Sequence, residues 1–143
     1  YSHESFMKLA LVEARLAFEA DEVPVGAVVV SKNRVLAKAR NSVQQLNDPT
    51  AHAELLAISA ATEFLGSKYL NECTLYVTLE PCPMCAGALF WSQIGKVVYA
   101  TNDEKRGCSL YSPSLYHPKT EVIAGIMAED SALLLKSFFQ KKR

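Results

Sequence analysis

The sequence predicts an α/β fold: a mixed five-stranded sheet with helices on both faces, three layers in all. Three observations lead there. The chain has 143 residues, one domain's worth, enough to bury roughly two-thirds of the surface its unfolded form exposes. Half of its residues are hydrophobic and 21% are charged, which is globular usage and excludes a disordered tail, a collagen-like fibre or a coiled coil. The apolar spacing alternates between helical and strand periods in the order α-β-β-α-β-α-β-loop-β-α. No repeat, low-complexity stretch or Pro/Gly/Ser linker interrupts it, so residues 1–143 are read as one domain.

Residues 4–20 are rich in Ala, Leu and Glu and place Phe6, Met7, Ala10, Leu11, Ala14, Ala17 and Phe18 on a broad face, as a helix does; Pro24 and Gly26 stop it. Residues 25–31 and 34–40 read as strands joined by a tight turn at Lys32-Asn33. Asn47-Asp48-Pro49-Thr50 is a turn able to cap a helix from about 50 to 64, which Gly66 ends. Residues 73–79 form a strand; Pro81 and Pro83 break it and open a helix through Trp91, closed by Gly95. Residues 96–100 are a strand, and 101–120 are polar and turn-rich with at most one short helical piece. The chain closes with a strand over 121–126 and a helix over 128–141, whose Ala128, Ala132, Leu135 and Phe139 share a stripe.

The formal net charge is zero, which argues against a strongly basic nucleic-acid binder. Yet residues 1–95 carry 7 basic and 10 acidic side chains and residues 96–143 carry 8 basic and 5 acidic, so a polyanion is expected to prefer the C-terminal half. Lys105, Arg106, Lys119, Lys141, Lys142 and Arg143 are its candidate phosphate contacts, with Tyr111 and Tyr116 as candidate stacking surfaces. No apolar run approaches the roughly 20 residues that span a bilayer. Charged residues interrupt the first twenty positions, so no secretory signal is read there and a cytoplasmic chain without membrane contact is expected. In that compartment Cys73, Cys82, Cys85 and Cys108 are not read as disulfides, and the C-x-x-C pair points to metal or redox chemistry.

Two short motifs carry the chemistry. His52-Ala53-Glu54 opens a predicted helix, and Pro81-Cys82-Pro83-Met84-Cys85 stands where a strand turns into the next one. One imidazole and two thiolates suit Zn²⁺. Cys82 and Cys85 lie three apart on one helical face, and a helix N-terminus favours thiolates. Side chains lean toward the N-terminus of their helix, so His52 can reach an ion held at the end of its own. Three protein ligands leave the fourth position of a catalytic zinc for water or hydroxide, whereas a structural zinc takes four protein ligands. Glu54 is then placed to accept and return the water's proton. H-x-E followed after 26 residues by P-C-x-x-C is the signature of the zinc nucleobase deaminases.

Beyond that signature the chain resembles the bacterial tRNA-specific adenosine deaminases of the cytidine/deoxycytidylate deaminase superfamily. The resemblance rests on Glu22-Val-Pro-Val-Gly-Ala27, Asn41, Asp48-Pro-Thr-Ala-His-Ala-Glu54 and Leu75-Tyr-Val-Thr-Leu-Glu-Pro-Cys-Pro-Met-Cys-Ala-Gly-Ala88, and runs from about Ser2 to the last helix. It implies a cytidine-deaminase-like α/β/α sandwich, a homodimer, and hydrolysis of the wobble adenosine of a tRNA anticodon to inosine. It also implies one catalytic zinc per chain on His52, Cys82 and Cys85, with Glu54 as proton shuttle. By the same resemblance Asn41 contacts the flipped base, Glu22 and the Ala53 backbone line its pocket, and Asp103 touches the substrate nucleotide or its neighbours. The likeness departs after Gly107, where the family's Asn-His pair is absent and the loop is shorter.

Blander readings stand beside these. Cys82 and Cys85 alone would suit a redox dithiol, Cys108 a fourth ligand or simple packing, and Cys73 packing at a strand start. His3 and His117 read as solvated, Asn41 as a strand-end cap, and Phe90 and Trp91 as core or dimer interface. Two other functions stay open: deamination of a free base or nucleoside by the same chemistry, and a non-catalytic zinc-stabilised binding module, which would need four protein ligands and no Glu54.

Overall fold

A computed structural model describes residues 1–142. Its elements are α1 (His3–Glu19), β1 (Gly26–Ser31), β2 (Arg34–Arg40), α2 (Val43–Leu46), α3 (Ala53–Leu65), β3 (Thr74–Leu79), α4 (Pro83–Ser92), β4 (Lys96–Thr101), a 3₁₀ turn (Cys108–Leu110), β5 (Glu121–Ala124) and α5 (Ala128–Lys141). The five strands make one mixed sheet in the order β2-β1-β3-β4-β5. β1 runs antiparallel to β2 and β3, while β3, β4 and β5 are parallel. One face carries α1 and α5, the other α3 and α4, which gives the three-layer α/β/α sandwich.

The strands show why both faces are covered. β1, β3 and β4 are buried almost end to end, as central strands of a two-sided sheet must be. Val28, Val30, Tyr76 and Val98 meet Phe6, Met7 and Ala10 of α1. Alternate residues Ala27, Val29, Leu75, Val77 and Val97 meet Ala53, Ala57 and Ala61 of α3 and Leu89 of α4. Gly26 lets α1 come this close, because a Cβ there would overlap the Ala10 carbonyl and the Ala14 amide. The hairpin turn is as expected, with Lys32 and Asn33 both at positive φ, 51° and 62°.

Several boundaries differ from the sequence expectation. α3 starts at Ala53 with His52 as its N-cap, because Thr50 is held back in the turn by Asp48 Oδ1. α4 ends at Gln93, which takes the left-handed conformation usually left to Gly or Asn. Gly95 serves close approach to the Asn71 carbonyl instead of ending the helix. β5 stops at Ala124 because Gly125 turns to φ 91°. The buried stripe of α5 runs through Ser131 and Phe138, with Leu134 and Leu135 half-buried; Ala132 and Phe139 face outward. Leu133, Leu134 and Leu135 permit either stripe, and the Ser131 hydroxyl settles it by donating to the Thr78 carbonyl.

Candidate active site

α3 and α4 bring their N-termini together at one end of the sheet, beyond the C-terminal end of β3. α/β sheets place their sites at such ends, where free backbone N–H groups converge. His52 and Cys82 are the N-caps of the two helices, and neither uses its side chain to cap. Cys85 sits one turn into α4, on the same face as Cys82.

His52 Nδ1 is 3.7 Å from Cys82 Sγ and 3.5 Å from Cys85 Sγ. The three ligand atoms lie within 4.8 Å of one another, a group able to hold a metal ion. Cys108, the fourth cysteine raised as a ligand, is buried outside that group, and Cys73 is packed at the foot of β3.

The electrostatics of the ion-free group are those of a cation site. The Cys85 thiol and then His52 hydrogen-bond to the Cys82 sulfur and hold its pKa down at about 4. Cys85 is pushed far up by the adjoining Cys82 and by burial, so the pair keeps one proton between two sulfurs. His52 is raised, chiefly by Cys82. Glu54, the second residue of α3, is only 4% exposed. Burial pushes its carboxyl from 4.5 up to about 7, against the pull of its own backbone amide and of Cys85. The site thus sets a buried carboxyl, able to carry a proton near neutral pH, beside a thiolate–imidazole cluster able to hold a cation.

Asn41 is buried beside it. Its Oδ1 accepts the Ala53 N–H at 2.8 Å, its backbone N–H donates to the Val25 carbonyl at 3.0 Å, and its amide nitrogen makes no hydrogen bond among the described residues. Glu22 is buried too, and both of its oxygens are engaged: Oε1 accepts the Gln44 N–H at 3.0 Å and Oε2 the Gln45 N–H at 2.8 Å. It thereby anchors α2, the short helix that links Asn41 to the His52 turn. Asp103 folds on its own loop, Oδ1 accepting the Lys105 and Arg106 N–H groups at 3.0 Å.

The sequence left Glu80 without a role. It is 2% exposed and binds the segment after β4 through both oxygens. The signal available was a lone acid closing the apolar strand Thr74–Leu79, two residues before Cys82.

Other expectations need correcting. Tyr116 is half-buried, its ring packing against the core and its buried hydroxyl lacking a hydrogen-bond partner among the described residues, whereas Tyr111 is 53% exposed. His3 and His117 are half-buried, His3 Nδ1 standing 2.8 Å from the Tyr76 hydroxyl and the His117 ring against Phe90. Lys141 lies over the Phe18 ring and Lys142 pairs with Asp21 at 2.6 Å, so these two brace α5 on α1; Arg143 lies outside the described residues.

The model of the MafB19-like deaminase family matches residues 1–143. A tRNA-specific adenosine deaminase of Aquifex aeolicus is 48% identical over 147 residues, covering 98% of this chain and 95% of that protein. A solved structure from work on A-to-I editing by tRNA:A34 deaminases at the wobble position of transfer RNA superposes with a TM-score of 0.86 at 44% identity, covering 92% of this chain and 99% of that one. A guanine deaminase from Nitrosomonas europaea superposes with a TM-score of 0.80 at 25% identity, covering 94% and 83%.

Proposed function

Since the chain belongs to the family of MafB19-like deaminases, we propose that it hydrolyses adenosine to inosine at the wobble position of a tRNA anticodon. The observation that carries the chemistry is the three-membered His52–Cys82–Cys85 group with Glu54 buried beside it. The near full-length identity to a tRNA-specific adenosine deaminase supports the substrate. Residues 1–143 act as one catalytic domain in this reading, working in the cytoplasm beside its tRNA.

The metal is zinc. Tetrahedral zinc with Zn–S of ~2.3 Å and Zn–N of ~2.0–2.1 Å separates sulfur from nitrogen by about 3.5 Å, and His52 Nδ1 stands 3.5 and 3.7 Å from the two sulfurs. Held by His52, Cys82 and Cys85, zinc would supply a water acidic enough to ionise at neutral pH, and with it the nucleophile for hydrolysis. Glu54 would carry protons from the attacking water to the base, first to the ring nitrogen and then to the amino group, which leaves as ammonia. The free amide nitrogen of Asn41 donates to the extruded base, while its oxygen stays on the Ala53 N–H. Glu22 keeps Asn41 in place by holding α2. Asp103 shapes the loop that meets the neighbouring nucleotides. Wobble adenosine in a single-stranded loop leaves its stack at low cost.

The likeness to a guanine deaminase favours one second reading, a free-base substrate. Ammonia release from an anticodon stem-loop, compared with free adenosine, cytosine and guanine, separates the two. Turnover of the stem-loop alone is expected; turnover of a free base without the stem-loop refutes the RNA reading.

The homodimer is proposed through α4. Met84, Gly87, Ala88 and Trp91 recur at helical spacing on its outer face, Trp91 is 77% exposed, and a Cβ on Gly87 would meet nothing within 4 Å. An apolar face with small residues at its centre suits a second copy of the same helix across a two-fold axis. Light scattering should give twice the 15.7 kDa chain mass for the wild type and the chain mass itself for Trp91→Asp. A monomeric wild type would refute the dimer.

A further inference from the structure

The carboxylate of Glu80 reaches sideways from the end of β3 into the loop after β4. Oε1 accepts the Asp103 N–H at 3.0 Å and the Asn102 side-chain amide at 3.3 Å, and Oε2 accepts the Ser109 N–H at 2.9 Å. Backbone bonds close the junction on both sides: Glu80 N–H to the Thr101 carbonyl at 2.9 Å, and Cys108 N–H to the Pro81 carbonyl at 2.9 Å. Gly107 lies so close that a Cβ would overlap Glu80 Oε1 and the Asp103 carbonyl. Between these anchors the loop displays Lys105 and Arg106, both exposed, and its far end is tied to Pro81, the residue before Cys82.

We propose that Glu80 is a positioning residue for substrate strand binding: it fixes loop 102–109 beside the metal group so that Lys105 and Arg106 meet phosphates flanking the target base. The proposal rests on the RNA reading above. Only a carboxylate fits the position, since all three groups facing it donate and it can accept every one. Glutamine would turn an NH₂ toward an N–H at one end and leave that donor unpaired. Glu80 acts through the loop and touches no reacting atom, so its loss should weaken binding and spare the chemical step.

Stem-loop kinetics of the metal-loaded protein test this. Glu80→Gln and Gly107→Ala, which attack one contact from opposite sides, should raise KM by about 10-fold while keeping the metal content, with kcat within about 3-fold. Both should flatten the salt dependence of binding, losing about one to two phosphate contacts' worth of slope. Lys105→Ala with Arg106→Ala leaves the buried anchor intact and should reproduce the KM and salt effects even if the buried variants fold poorly. An unmoved KM in that double variant, or lost metal or kcat at unchanged KM in the buried variants, overturns the proposal. A wild type inert on the stem-loop removes the RNA reading and this inference together; an active wild type with unmoved variants removes this inference alone.

Discussion

Glu54→Gln should lower turnover by about 10²–10⁴-fold, the range a positioned general acid–base commonly supplies, while the metal content stays that of the wild type. Glu54 stands at the second position of α3, so its side chain projects toward the ion group without joining it. Glutamine keeps its volume and removes its ability to carry a proton. Metal analysis beside steady-state kinetics checks this: loss of the metal would make Glu54 a ligand, and undiminished turnover would put the proton transfer elsewhere. A second readout comes from the metal-stripped protein. Burial raises the Glu54 carboxyl from 4.5 to about 7, so its contribution to stability is fully present below about 4.5 and is lost as the pH rises through about 7. Denaturant titrations across that window should show a shallower decline in Glu54→Gln than in the wild type.

What the sequence made legible follows from the range of the forces involved. The Lys32-Asn33 turn, the αL glycine at Gly66 and the unbroken apolar runs of β1 and β3 depend on a few neighbouring residues, and a linear reading recovers them. The His52–Cys82–Cys85 group joins two distant segments, yet each half advertises itself by its own spacing. Features set by tertiary partners stayed hidden. α2 is a four-residue helix without a side-chain cap of its own, and it exists where Glu22, 22 and 23 residues earlier, accepts its first amides. The buried face of α5 is not the stripe read from the sequence but the one through Ser131, whose hydroxyl bonds to Thr78, 53 residues away. Glu80 read as an unremarked acid in a matching stretch because its three donors come 22 to 29 residues later. Charge counting misled for the same reason. Lys141 and Lys142 belong to a C-terminal brace on Phe18 and Asp21, so among the described candidate phosphate contacts Lys105, Arg106 and Lys119 are the ones without such a partner.

Cys85→Ala should lose metal and activity together, in contrast to Glu54→Gln. The metal-free group already holds Cys82 as a thiolate near pKa 4, while Cys85 keeps its proton and donates toward it. A cation that binds both sulfurs must displace the Cys85 proton, and it must take neutral His52, whose pKa Cys82 has raised. Metal uptake by stripped wild type at neutral pH should therefore release between about one and two protons, measurable by calorimetry in buffers of different ionisation enthalpy. Cys85→Ala removes the proton reservoir with the ligand, so residual binding should release less. Ligand linkage adds the thermal counterpart: free zinc at 100 times its dissociation constant should stabilise the wild type by about 2.7 kcal/mol, and the variant by far less at the same concentration. Stoichiometric metal and wild-type turnover in Cys85→Ala would remove the three-ligand site. Proton release near zero in the wild type would mean that both sulfurs were already thiolates, and that the shared proton between Cys82 and Cys85 does not exist.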